Sequence, residues 1–299
     1  MIRKCGAQFC AAMMIAAPLL AGRSADAQER ARGARSVVVA PGVSLNVVDV
    51  GERQPKAPTV VLIPGWSMGA AVWQDVITDL QRTRRVVALD PRSQGQSTIT
   101  PYGNTPEQRA RDLHVLLDSL HVVRPVLVGW SQGAQDVGAF VAEFGDTSVS
   151  ALVLVDSPVS DGAAAVATRP AEAEALFRRL TLYEKYQREY LDGMISAITT
   201  HPSAEQRRML IETGMRTPTS IGIAQLVADF YGPDRLAALA KTRVPTLVMA
   251  SAQSPELDRQ RDMAGRIAGA RFESVADARH AVFIDQLSRF NALLASFLP

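Results

Sequence analysis

Ser131 stands in Gly129-Trp130-Ser131-Gln132-Gly133, directly after the apolar run Pro125–Val128 and at the head of a helix-like segment, Ala134 to Phe144. A serine on a sharp strand-to-helix turn exposes its hydroxyl at the end of a sheet, beside the free amides of a helix N-terminus. The glycines two residues to either side allow a strained backbone and a close strand–helix approach. The chemistry this would serve is attack on an acyl carbon, which needs a base and donors for the developing oxyanion. Four histidines are available. His114 and His121 fall on or at the end of the preceding helical pattern, and His201 stands before a proline. His280 follows the last strand-like run and precedes the final helical one, so its loop opens at the same sheet edge as Ser131. It is the candidate base. Pro64-Gly65-Trp66-Ser67 ends the first buried strand-like run, and its glycine lets the amide of Trp66 turn toward a reacting carbonyl. The amide of Gln132, next to the nucleophile, is the second candidate oxyanion donor.

The elements that position these residues begin after a leader. Arg3 and Lys4, the apolar run Phe9–Leu20 and Ala25-Asp26-Ala27 form the pattern of a secretory signal peptide over residues 1–27. The run is too short for the ~20 residues of a membrane span. Both cysteines, Cys5 and Cys10, lie within it, so an exported chain would carry no disulfide and no thiol nucleophile. The leader holds three of the 32 basic residues and one of the 30 acidic ones, which leaves the remainder formally neutral. No basic run suits nucleic acid or an anionic membrane surface. The expected location is periplasmic or secreted, with no stable membrane insertion after cleavage.

Residues 28–35 read as a polar tail. Strand patterns follow at Ser36–Ala40, Leu45–Val50, Thr59–Ile63, Arg85–Leu89, Pro125–Gly129, Ala151–Val155, Thr246–Ala250 and Arg271–Val275. The later ones are unbroken apolar runs, as parallel strands buried on both faces require. Helical patterns alternate with them at Ala70–Gln81, Pro106–Leu120, Gln132–Phe144, Pro255–Ile267 and Phe283–Phe297. The expected fold is therefore α/β, a doubly wound, mostly parallel sheet with the first two strands as an antiparallel edge. Residues 36–156 and 242–299 would form the core. Residues 157–241 contain no strand pattern and break at His201-Pro202, Thr217-Pro218 and Gly232-Pro233, which reads as an inserted helical lid over the strand ends.

With the elements in place, the chain from Val37 to Leu298 resembles the α/β-hydrolase superfamily. The matching pieces are Leu62-Ile63-Pro64-Gly65-Trp66, the run Leu89 to Ser97, the Gly-Trp-Ser-Gln-Gly turn, Leu152 to Asp156, Val244 to Val248 and the His280 region. Pro-Gly-Trp, Gly-Trp-Ser and His-Ala-x-Phe-Ile are similar to carboxylesterases that demethylate pimeloyl-carrier-protein esters, a likeness too short to carry a substrate. The resemblance implies an acid to orient His280. Most relatives place an aspartate in the loop after the Thr246–Ala250 strand, but here that loop is Ser251-Ala252-Gln253-Ser254-Pro255. Asp156, at the end of the preceding strand, matches the alternative location used by haloalkane dehalogenases and by cofactor-independent ring-opening dioxygenases. It is the preferred acid, with Glu256 and Asp258 as alternatives. Asp277 stands only three residues before His280, a strained spacing.

The expected activity is hydrolysis of a small-molecule carboxylic ester, or a related acyl bond, through an acyl-enzyme on Ser131. The substrate would have an apolar part. Two other readings stay open. One is a cofactor-independent enzyme of the same fold that uses the histidine–acid pair for proton abstraction; the other is a non-catalytic binding module, which requires that no carboxylate reach His280. No His/Cys/Asp cluster has metal-ligand spacing, and no phosphate-binding glycine loop is present, so no metal or cofactor is implied. Asp90, Arg92, Ser93 and Ser97 read as turn residues, and Asp136 as a buried polar contact or a surface group.

Overall fold

The computed structural model describes residues 33–54 and 57–299. The leader at 1–27 lies outside the described residues, as does most of the tail at 28–35. Ala34 and Arg35, expected in that tail, instead begin the first strand, because their backbones pair with Val48 and Val47.

The strands are β1 (Ala34–Ala40), β2 (Val43–Val50), β3 (Val60–Ile63), β4 (Val86–Leu89), β5 (Val126–Trp130), β6 (Ala151–Val155), β7 (Thr246–Ser251) and β8 (Arg271–Val275). They form one sheet in the order β1-β2-β4-β3-β5-β6-β7-β8. β1, β2 and β4 pair antiparallel, and every other pairing is parallel. Every residue of β3, β4, β5 and β6 is buried, which is why these runs carry no polar alternation.

Helices cover both faces. α1 (Gln74–Leu80) follows a 3₁₀ turn at Ala70–Trp73; α2 (Pro106–Ser119) and α3 (Gln132–Phe144) come next. Alternate strand residues face opposite cores. Val61, Ile63, Leu127 and Leu152 pack with Leu113, Leu116, Val137 and Phe140 of α2 and α3. Val60, Leu62, Val128 and Val153 pack with Val76 and Ile77 of α1 and with Phe283 and Phe290 near the C-terminus. α2 starts where Thr105 caps it, its side chain accepting from the Gln108 amide with Pro106 at the first helical position.

Between β6 and β7 the chain is helical: α4 (Ala163–Val166), α5 (Pro170–Lys185), α6 (Gln187–Ile198), α7 (Ala204–Gly214), α8 (Thr219–Phe230) and α9 (Leu236–Leu239). The three proline sites named above fall in the breaks before α7, α8 and α9. The segment enters and leaves at one point, where Asp161 and Asp234 form an antiparallel bridge. α10 (Leu257–Arg266) follows β7.

Two helical patterns differ from expectation. Ala70–Gln81 is a 3₁₀ turn running into a helix, and the Ala70 amide donates to the buried carboxylate of Asp90 rather than starting an α-turn. The C-terminal pattern is two helices, α11 (Val282–Asp285) and α12 (Leu287–Phe297). They break at Gln286, at φ −132° and ψ 52°. Beside that break, Asp285 accepts from the amides of Thr200 and Arg279, contacts that a sequence pattern does not register.

Candidate active site

β3 lies between β4 and β5, so the chain's path across the sheet reverses there, and a crevice opens past the strand ends. Pro64-Gly65-Trp66 leaves β3 on one side of this point, and Ser131 follows β5 on the other. Ser131 sits at φ 55° and ψ −117°, a strained conformation for a residue with a side chain. The neighbouring glycines make it possible. A Cβ on Gly129 would overlap the Gly133 carbonyl, and one on Gly133 would overlap the Ile63 carbonyl. A Cβ on Gly65 would lie 3.1 Å from the Ser131 Cβ and from the Trp130 ring, so the loop after β3 approaches the serine closely only because Gly65 is bare.

His280 follows β8 through a turn in which Asp277 takes a positive φ of 54°. Its Nδ1 lies 2.8 Å from Oδ2 of Asp156, whose side chain is almost wholly buried. The other carboxylate oxygen, Oδ1, accepts from the Ser251 amide at 2.8 Å and from Gln260 Nε2 at 3.1 Å. A carboxylate oxygen can only accept, so Nδ1 of His280 carries the hydrogen and Nε2 keeps a free lone pair. The His280 carbonyl accepts from Trp130 Nε1 at 2.9 Å, which ties the base's backbone to the strand that carries Ser131. The Asp156 backbone also sits at a positive φ, 45°, at the end of β6.

The other candidate acids are elsewhere. Glu256 faces the same cavity but pairs with Arg259 at 2.7 Å, and Asp258 is exposed in the first turn of α10. No hydrogen bond joins either of them, or Asp277, to His280. His114 stacks on Phe144 at 4.2 Å, His121 occupies a positive-φ turn position and His201 is exposed.

Trp66 follows Gly65 on the loop that approaches Ser131, and Gln132 follows Ser131 directly; among the described residues, neither backbone amide donates to another backbone group outside the helices and strands. Ser131, His280, Trp66 and Gln132 all line one cavity of about 530 Å³. That volume falls within the few hundred to about 1,000 Å³ typical of small-molecule sites. One wall is apolar, with Val159, Val166, Leu176, Leu226 and Phe230. Ionic residues line the cavity beside these, with Glu172 one turn from Leu176 on α5. Arg169 binds Asp161 through both terminal nitrogens at 2.8 and 2.9 Å and reaches Glu172 at 3.0 Å, while Arg259 lies 3.8 Å from Asp161 and 3.7 Å from Glu172.

A second charged cluster lies beneath Gln132. Arg109, fully buried on α2, pairs with Asp136 of α3 at 2.9 Å and with Asp229 of α8 at 3.1 Å. Burial pushes the Asp136 carboxyl up to about 7, against the pull of Arg109. Burial also raises Asp229, and Arg109 again opposes it. Asp136 is thus a buried polar contact, one of the two roles its sequence allowed. Sequence patterns did not single out Arg109, Asp229 or the ionic residues of the cavity. Their partners stand far away along the chain, and no local spacing marks them.

Set beside known proteins, the sequence profile of the Alpha/beta hydrolase family matches residues 60–293. A Synechocystis protein named "Putative non-heme chloroperoxidase" is 26% identical over 250 residues, covering 76% of this chain and 86% of that protein. The esterase EaEST from Exiguobacterium antarcticum has a TM-score of 0.78 at 20% identity, over 88% of this chain and 98% of its own. A bromoperoxidase from Bacillus anthracis has a TM-score of 0.77 at 18% identity, over 88% and 99% of the two chains. At such identities the structural likeness is one of fold.

Proposed function

The chain belongs to the alpha/beta hydrolase family, and from that premise we propose that it is a serine hydrolase cleaving small carboxylic esters through an acyl-enzyme on Ser131. The observation that carries this reading is the pairing of His280 Nδ1 with the buried Asp156 carboxylate at 2.8 Å, in a cavity that also receives the Ser131 side chain. It leaves an imidazole with Nε2 free to accept a proton and the acid holding that tautomer.

In this mechanism the Ser131 hydroxyl oxygen bonds to the ester carbon as His280 Nε2 takes its proton. The carbonyl π electrons move to the oxygen, where the Trp66 and Gln132 amides receive the charge. Collapse of the tetrahedral adduct breaks the ester C–O bond, and the leaving alkoxide takes the proton from His280. Water then repeats the sequence on the acyl-serine and releases the carboxylic acid and the free serine. Each amide donor contributes on the order of 2.7–4 kcal/mol to the transition state, so the two amides matter as much as the base.

The apolar wall suits a substrate with an apolar part, and the helices over the cavity suit a lid. Export through the leader at 1–27 belongs to the same proposal and places the reaction in the periplasm or outside the cell. A carboxylate within reach of His280 weighs against a non-catalytic binding module.

Ser131→Ala tests the reading. Hydrolysis of short-chain p-nitrophenyl esters should fall by at least about a thousandfold while the fold is kept. Undiminished turnover would end the proposal.

The names of the chloroperoxidase relative and the bromoperoxidase neighbour favour a second fate for the same intermediate. Hydrogen peroxide would take the acyl group in place of water, giving a peracid and free Ser131. Peracid formation from an acyl donor and peroxide that disappears in Ser131→Ala is the expected result; its absence from wild-type protein leaves water as the sole acceptor.

A further inference from the structure

Both residues assigned above as oxyanion donors anchor their side chains on one helix of the segment between β6 and β7. Trp66 is buried, and its Nε1 donates to the Gly222 carbonyl of α8 at 2.9 Å. Its ring packs edge-on against Tyr183 at 4.7 Å and Tyr190 at 6.2 Å. Gln132 is also buried, and its Nε2 donates to Asp229 Oδ2 of the same helix at 2.5 Å. The Gln132 side-chain oxygen accepts from Gln94 Nε2 at 2.9 Å, so the amide is held at both ends and in one orientation. Arg109 in turn holds the second oxygen of Asp229. Gly222 and Asp229 are seven residues apart, which is about two helical turns and puts them on the same face.

We propose that α8 is the template of the oxyanion site: through Gly222 and Asp229 it sets the spacing of the Trp66 and Gln132 amides, and Asp229 is a positioning residue for the Gln132 donor. The proposal rests on the serine-hydrolase reading above for its catalytic meaning, and on the side-chain contacts alone for its geometry. Trp66 leaves the sheet at β3 and Gln132 at β5, so two separate loops must agree in position. A single rigid helix gripping both achieves that agreement. Without it, Trp66 would keep only its ring packing on Tyr183 and Tyr190, and the Gln132 side chain would have one neutral partner. Transition-state stabilisation depends on donors fixed before the charge develops, so loosening them reduces turnover more than it reduces ground-state binding.

The test compares wild type with Asp229→Asn and Asp229→Ala, using p-nitrophenyl acetate as substrate. Phenylboronic acid, whose tetrahedral adduct with a serine puts an oxygen at the oxyanion position, serves as the probe. kcat should fall about tenfold to a hundredfold and the boronate Ki should rise by a similar factor, with KM within about threefold. Trp66→Phe keeps a ring but loses the donor to Gly222, and should give the same pattern without touching the Arg109 cluster. A change in KM alone, or a lowered Tm with kcat and Ki unchanged, would overturn the proposal.

Hydrogen exchange reads the geometry without catalysis. The amides of residues 65–68 and 132–133 should exchange faster in Asp229→Ala, and unchanged rates in folded protein would overturn the template. Absence of ester turnover and of fluorophosphonate labelling in wild type would instead sink the serine-hydrolase reading, and the exchange result would still decide the geometry.

Discussion

Asp156→Asn is the substitution whose outcome the geometry dictates most closely. In the native site Oδ1 accepts two hydrogen bonds, from the Ser251 amide and from Gln260 Nε2, while Oδ2 faces His280 Nδ1. Asparagine has one oxygen and one NH₂ to divide between these positions. Placing NH₂ at the Oδ1 position would set donor against two donors in a buried site, so the oxygen stays there and NH₂ turns to the imidazole. An NH₂ can only donate, and His280 must then present a bare Nδ1 and carry its hydrogen on Nε2. That tautomer cannot accept the Ser131 proton. In a serine protease triad the equivalent tautomer error costs about 10⁴-fold in kcat, so a loss of about 10³–10⁴-fold is expected here. At about 1.36 kcal/mol per decade this is about 4–5.5 kcal/mol of transition-state stabilisation. The assay is steady-state hydrolysis of a short p-nitrophenyl ester, with Tm confirming the fold. Glu256→Gln and Asp258→Asn, measured alongside, should stay within about threefold of wild type, since neither group contacts the imidazole. An Asp156→Asn variant keeping more than a tenth of wild-type kcat, or a crippled Asp258→Asn, would refute the reasoning.

Two further substitutions test the support of the site. Asp136 has its folded carboxyl raised to about 7 by burial, so between pH 4 and 7 the folded state holds a proton that the unfolded state has released. Stability should therefore decline as pH rises through that window, and Asp136→Asn should flatten the decline in urea titrations; an unchanged pH slope would remove Asp136 as its source. Gly133→Ala decides between opposing effects. Alanine at a helical glycine ordinarily gains about 0.8–1 kcal/mol. Here its Cβ would overlap the Ile63 carbonyl, so a net loss of about 1–3 kcal/mol is expected, and a stabilised variant in the same titrations would contradict the contact.

The sheet was legible because its signal is local. Val60–Ile63, Val126–Trp130 and Ala151–Val155 are unbroken apolar runs bounded by turn residues, and burial on both faces demands that pattern. Ser131 was legible for a similar reason, because the glycines that make room for its backbone stand two residues away. His280 needed one more step, the position of its loop after the last strand. The acid was harder. Three carboxylates could have met the imidazole, and only the path of β6 beside β5 and β7 brings Asp156 to it. The holding contacts were not legible at all. Trp66 and Gly222 are 156 residues apart, and Gln132 and Asp229 are 97 apart. A bond of that kind depends on how an inserted helix packs over the sheet, and no period or spacing in the chain encodes it. The break at Gln286 was missed for the same reason, since the apolar pattern runs straight through it while Asp285 is held by residues of another segment.

The central claim is that Ser131 carries an acyl group during turnover. The direct measurement is to mix the wild-type protein with p-nitrophenyl acetate, quench with acid within one turnover and map the peptides by mass spectrometry. The account predicts one acetyl group on Ser131, an accompanying burst of p-nitrophenol and neither signal in Ser131→Ala. Steady turnover with an unmodified Ser131, or a burst that survives in Ser131→Ala, would contradict it.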